Sequence, residues 1–202
     1  TVNSANGIAG TLQVVGTDLT VTKGLNLSGF GYNSRGALRV AEVLPGNTGT
    51  NTSVTWAGPW TIQNTTAITV ENEAALLVSG NIAGGAVGAN IERNGTGTMT
   101  LTGNNTYFGA LTLREGLTVI TTNSALGGAG GGGTLVAGGA TLRITNGITV
   151  TDEAVTLSGS ATNPAVLELL SGNTTFGGQF NAVGTQGGEA TILTDGTASL
   201  TI

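Results

Sequence analysis

Short runs in which every second residue is apolar recur along the whole chain. They are TLQVV (11–15), LTVT (19–22), LNLS (25–28), ALRVAEVL (37–44), SVTW (53–56), AITV (67–70), TMTLT (98–102), ALTLR (110–114), LTVIT (117–121), ATLRI (140–144), ITVT (148–151), VTLS (155–158), VLELL (166–170), ATILT (190–194) and SLTI (199–202). Period-two alternation sends one face of a strand to a core and the other to solvent. Between the runs lie Gly, Asn-Gly and Asn-Thr pairs, which are turn punctuation. No window carries apolar residues at helical spacing with credible caps. The pattern predicts an all-β chain of many short strands.

Strands at this spacing suit a sandwich, a barrel or a β-solenoid, and internal repetition favours the solenoid. GTLQVVGTDL (10–19) aligns with GTLVAGGATL (133–142), LSG (27–29) recurs at 157–159, and LPGNT (44–48) recurs as LSGNT (170–174). The same ordered features return after about 125 residues, and a shorter echo links GNNTYFG (103–109) to GNTTFGG (172–178). Units of a few short strands cannot bury their faces alone and stack on their neighbours. The expectation is a single rod over 1–202, with 45–63 (PGNTGTNTSVTWAGPWTIQ) as an irregular loop or protrusion. At roughly 20 to 25 residues per rung, about 8 to 10 rungs would make a rod about 40 to 50 Å long.

The stretch LTGNNTYFGALTL (101–113) then reads as strand, corner, strand. Asn and Gly are expected to supply left-handed backbone at the corner, Asn to stack on Asn in the next rung, and the aromatic to fill a corner of the core. Gly103, Asn104, Asn105, Thr106, Tyr107, Gly109 and Gly116 are the structural positions of this repeat. Together with Leu111-Thr112-Leu113 and Gly116-Leu117-Thr118-Val119, they resemble the passenger-associated β-strand repeat of bacterial autotransporters. That pattern runs Leu-x-Gly-x-Asn-Thr-Tyr-x-Gly, then an alternating run, then Gly-x-Leu. NSALGGAGGGGTLVAGGATLRI (123–144) resembles the family's continuation. The clear match runs from Thr98 to Ile144, with Phe108 and Ala110 where the family more often has Thr and Gly. The resemblance implies a right-handed parallel β-helix, secreted or displayed at the cell surface. It implies no single activity, because the family's passengers include adhesins, proteases, esterases and structural stalks.

Composition narrows the functional classes. Charged residues are 8% of the chain, against about 25% in ordinary domains, while Gly accounts for 36 of 202. The six basic residues are scattered, so no cluster offers a phosphate-binding face and no nucleic-acid partner is expected. No segment has the run of about 18 apolar residues that a membrane helix needs, and no membrane insertion by this segment is expected. The chain has neither Cys nor His, so a Ser-His-Asp set, a Cys nucleophile and a zinc site of ordinary type are all excluded. No catalytic residue, metal or cofactor is assigned, and the expected function is non-enzymatic. Glu71 with Glu73, and Asp152 with Glu153, are the closest carboxylate pairs, and they read as solvated strand and turn. GGAGGGG (127–133) carries no Asp for calcium and no Gly-Lys-Ser/Thr for phosphate.

The binding lead is aromatic. Phe30 with Tyr32, and Trp56 with Trp60, lie in Gly/Asn-rich stretches where an exposed ring would stack on a sugar or anchor a protein contact. The expected role is a structural or adhesive extracellular segment: a stalk, an adhesin segment or a self-assembling subunit. Its partners would be copies of itself, meeting at open ends or lateral faces, or a host-surface or glycan ligand. The alternative is a glycan-binding or glycan-cleaving surface.

Overall fold

The computed structural model describes residues 10–41, 51–84, 88–185 and 188–202. The described chain is an all-β parallel solenoid of about 7 turns. One sheet runs the length of the stack through β1 (Leu12–Val14), β4 (Leu38–Val40), β6 (Trp60–Val70), β9 (Ile91–Asn94), β11 (Leu111–Leu113), β13 (Thr134–Ala137), β16 (Val155–Ser160) and β19 (Phe180–Thr185). A second runs beside it through β2 (Leu19–Val21), β5 (Ser53–Trp56), β7 (Ala75–Val78), β10 (Thr98–Leu101), β12 (Gly116–Ile120), β14 (Ala140–Ile144), β17 (Ala165–Leu169) and β20 (Ala190–Thr194).

The third face changes character along the rod. Early on, β3 (Leu25–Gly29) and β8 (Ile82–Gly84) pair with the first half of β6. Late in the chain, β15 (Thr149–Val150), β18 (Gly172–Phe176) and β21 (Ala198–Thr201) form a separate three-stranded sheet. Between these two stretches the third face is irregular, and the motif at 103–109 lies there.

Parallel register stacks like on like. In the second sheet one inward column passes from Leu19 to Val54, Leu76, Met99, Thr118, Leu142, Leu167 and Ile192. Because a strand is pleated, a one-residue slip would turn each of these side chains out to water, so the apolar column itself fixes the register. The first step, from Leu19 to Val54, is the longest. It explains why the stack has about 7 turns where division by 20 to 25 residues gives 8 to 10. At about 4.8 Å per turn the rod is about 34 Å long, shorter than the sequence estimate.

The expected irregular segment at 45–63 is corrected in part. Residues 45–50 lie outside the described residues, whereas 53–56 and 60–63 are strand. The local departure is a register shift, with Leu27 opposite Ile62 but Gly29 opposite Thr66.

Candidate functional site

The two aromatic pairs part company. Trp56 and Trp60 project into the core, where their rings meet edge to face at 5.9 Å. Trp56 Nε1 donates to the Lys23 carbonyl at 2.8 Å, while Trp60 Nε1 is buried without an acceptor. Rings so placed fill the corner between β5 and β6 and offer no face to a ligand, which corrects their assignment as binding residues. Phe30 and Tyr32 are exposed, at 44% and 61%, on a loop closed by the 3₁₀ turn Tyr32–Ser34.

The repeat motif works differently from expectation. Asn105 is buried and spans three rungs. Its Oδ1 accepts from the Ile82 amide at 2.8 Å, and its Nδ2 donates to the Ala125 carbonyl at 2.7 Å. Asn81 Oδ1 accepts from the Asn104 amide, Asn90 Oδ1 from the Ala110 amide and Asn123 Oδ1 from the Thr149 amide. These amides therefore bond the backbone of the next rung, where Asn-on-Asn stacking was expected. The reason is geometric: where the third face lacks a strand, backbone groups need partners, and a short amide supplies both a donor and an acceptor.

Left-handed backbone also falls elsewhere. Among the described non-glycines it occurs at Asp18, Asn33, Ser34, Glu73 and Asp152, and not at Asn104 or Asn105. A Cβ on Gly103 or Gly109 would strike the carbonyl oxygen of Gly80 or Ala89 in the rung below, so these two positions serve close approach of backbones. Gly116 needs both freedoms, with φ 72° and no room for a Cβ beside the Arg93 guanidinium. Thr106 is exposed, and its amide donates to the Ile82 carbonyl at 2.8 Å. The Tyr107 ring fills the core corner, as the sequence suggests.

Two buried ionisable groups, Arg93 and Glu153, escaped sequence reading. Arg93 stands in an inward column between Ile68 and Leu113. Its guanidinium donates to the carbonyls of Gly95 and Gly97 in its own rung and of Glu115 and Leu117 in the next. Burial lowers its pKa to about 10, against the opposing pull of Glu115, so it stays charged at neutral pH. Glu153, read from sequence as turn surface, is 5% exposed, and Thr134 Oγ1 donates to its Oε1 at 3.0 Å. Burial raises its carboxyl to about 7, partly offset by that hydrogen bond. Tyr107 Oη has no partner, and burial with the nearby Glu153 charge pushes its ionisation far up. The in-phase position of Arg93 after Ile91 was the one sequence signal available, since alternation there places the arginine on the core face.

Among the described residues, a groove of about 570 Å³ lies on the outer side of the first sheet. Its floor is an outward column in register, Arg39, Thr69 and Asn94. Its walls are Ser34 and Arg35 from the loop on one side and Glu71, Asn72, Gly95, Thr96 and Glu115 from the corners on the other. Arg39 pairs with Glu71 and also donates to Gln13. Glu71 and Glu73 lie in the turn after β6 and not on a strand, so their side chains are not held on one face. Glu115 accepts from the Gly95 amide at 2.8 Å and faces the buried Arg93 charge. Arg35 is exposed and forms no ion pair or side-chain hydrogen bond among the described residues.

The loop bearing Arg35 is held in a costly shape. Gly31, Asn33, Ser34 and Gly36 all have positive φ. A left-handed Ser costs about 1 kcal/mol or more, and such residues persist where the surroundings over-determine them. Here the Gly36 amide donates to the Phe30 carbonyl at 2.7 Å, and Thr11 Oγ1 accepts from the Tyr32 amide at 2.8 Å.

Among the described residues no group of three or more carboxylates gathers as a metal site, and no helix is long and apolar enough to cross a membrane. Comparison with protein-family models finds no match, and neither do comparisons with curated proteins and with solved structures.

Proposed function

We propose that the chain is a structural and adhesive segment of an extracellular bacterial solenoid of autotransporter-passenger type, serving as a stalk, an adhesin segment or a self-assembling subunit. The observation that carries this reading is the uninterrupted parallel stack itself. Two sheets run from the first described rung to the last, and every turn is tied to the next by backbone pairing, corner asparagines or Arg93. Rung-to-rung ion pairs, Arg114–Glu92 at 2.8 Å and Arg143–Glu168 at 2.7 Å, add little each because they are solvent-screened. Stiffness therefore comes from hydrogen bonds along the axis and the aliphatic columns. The absence of His and Cys from the chain agrees with a mechanical role.

Sedimentation velocity and electron microscopy of the 202-residue chain across a concentration series separate the versions of this reading. Fibres with an axial period near the rod length identify a self-assembling subunit, and short rods at every concentration identify a stalk or adhesin segment. Rapid cleavage by trypsin at Arg93 or Arg143 would sink both, because a closed stack keeps those backbones paired.

A further inference from the structure

We propose that the outer groove beside the Phe30–Gly36 loop binds a carboxylated saccharide, with Arg35 holding the carboxylate and Tyr32 stacking on a sugar ring. This goes beyond a structural role, and it rests on the outer face of the first sheet and not on the stack's core.

The groove's volume, about 570 Å³, falls in the range of about 300–1,000 Å³ usual for small-ligand sites. Its lining is unlike that of a pocket for an apolar ligand. Hydroxyls and amides from Ser34, Thr69, Asn72 and Asn94 face a shared space, and such groups match a ligand that is itself dense in hydroxyls.

Charge selects further. The groove's other ionic groups are already matched: Arg39 by Glu71, and Glu115 by the Gly95 amide and the Arg93 charge behind it. Arg35 alone is left with its fork of donors free among the described residues. A guanidinium fork matches the two oxygens of a carboxylate, so the site calls for one negative charge on a polyhydroxylated ligand.

An exposed aromatic ring stands next to the groove, outside its lining. Tyr32 is 61% exposed in the turn that carries Ser34 and Arg35 into the groove wall. The negative face of such a ring receives the C–H edge of a sugar. The left-handed residues Asn33 and Ser34 fix the backbone that carries Arg35 and Tyr32, so the ordering left for binding is that of two side chains. A Cβ at Gly31 would collide with the Gly36 carbonyl, so the loop has this one tight form.

The test is an amide chemical-shift titration of the full chain with a trimer of galacturonic acid, a neutral galactose trimer and a sulfated galactose trimer. The expected result is saturable binding of the uronide with shifts centred on residues 32–36, 69–72 and 94–96. The neutral trimer should bind at least about tenfold more weakly, as should the uronide to Arg35→Gln. Arg35→Lys keeps the charge and loses the fork, and it should fall between the two. Arg35 is exposed, so an unchanged thermal midpoint certifies each variant. No binding of the uronide at millimolar concentration overturns the proposal. So do shifts centred elsewhere, equal binding of the neutral trimer, tighter binding of the sulfated trimer, or full binding by Arg35→Gln.

Discussion

Replacing Asn105 with Ala removes two hydrogen bonds that join three successive rungs. The Ile82 amide and the Ala125 carbonyl lose their side-chain partner in a region closed to water, since both residues are buried. An orphaned buried backbone group costs about 1–3 kcal/mol, so the two together should cost about 2–6 kcal/mol. Asn104 provides the control one residue away. It is exposed, and its side chain only accepts from Ser124 Oγ at 3.2 Å, so Asn104→Ala should stay within about 0.5 kcal/mol of the parent. Urea unfolding followed by far-ultraviolet circular dichroism gives the difference. Hydrogen exchange at the Ile82 amide gives the local view, and protection there should collapse in Asn105→Ala and survive in Asn104→Ala. If the two variants unfold at the same urea concentration, Asn105 does not tie the rungs and the account of the corner is wrong.

Glu153 sets a pH dependence. Its carboxyl titrates near 4.5 when unfolded and near 7 in the fold, so the fold binds the extra proton between those values. The stability this contributes is fully present below about pH 4.5 and is lost as pH rises through about 7, a swing of roughly 3 kcal/mol. Glu153→Gln should flatten the melting temperature against pH and stabilise the chain at pH 8; an unchanged slope would refute the burial argument. Tyr107→Phe removes a buried hydroxyl with no partner, so it should leave stability unchanged or raise it by about 1 kcal/mol, and clear destabilisation in thermal melts would reveal a partner for that hydroxyl. Arg93→Met fits the aliphatic column but strips donors from four carbonyls in two rungs. It should cost at least about 2 kcal/mol by urea titration, and a gain would mean the buried charge is the larger liability.

Much of the fold was legible because a solenoid writes its register into alternation. The runs at 53–56, 140–144 and 190–194 are strands with those bounds, and 19–22 and 98–102 agree within a residue. Three of the strands that alternation overlooked have physical reasons. In β9 one of the two inward positions is Arg93, so the core face looks half polar. In β18 the inward Thr174 breaks an apolar pattern already short, and β8 has only Ile82 inside. The site was less legible. Trp56 and Trp60 look available in a Gly- and Pro-bearing stretch, yet ring size sends them to the core once β5 and β6 form. The groove unites residues as distant as Arg35 and Glu115, joined only by the stacking of rungs, and no local spacing announces that. Glu153 follows the exposed, left-handed Asp152 and shares its sequence context, but the turn there rotates the second carboxylate inward.

If each rung is held by its neighbours, the stack resists pulling along its axis rung by rung, and stretching single molecules between their two ends measures that resistance. Leu142 pairs with Leu167, 25 residues on, so releasing one such rung should lengthen the chain by about 85 Å. The expected trace is a series of resisted steps of one or two rungs each, with those crossing Asn105 and Arg93 among the strongest. Extension without resistance, or release of the whole chain in a single step, would contradict it.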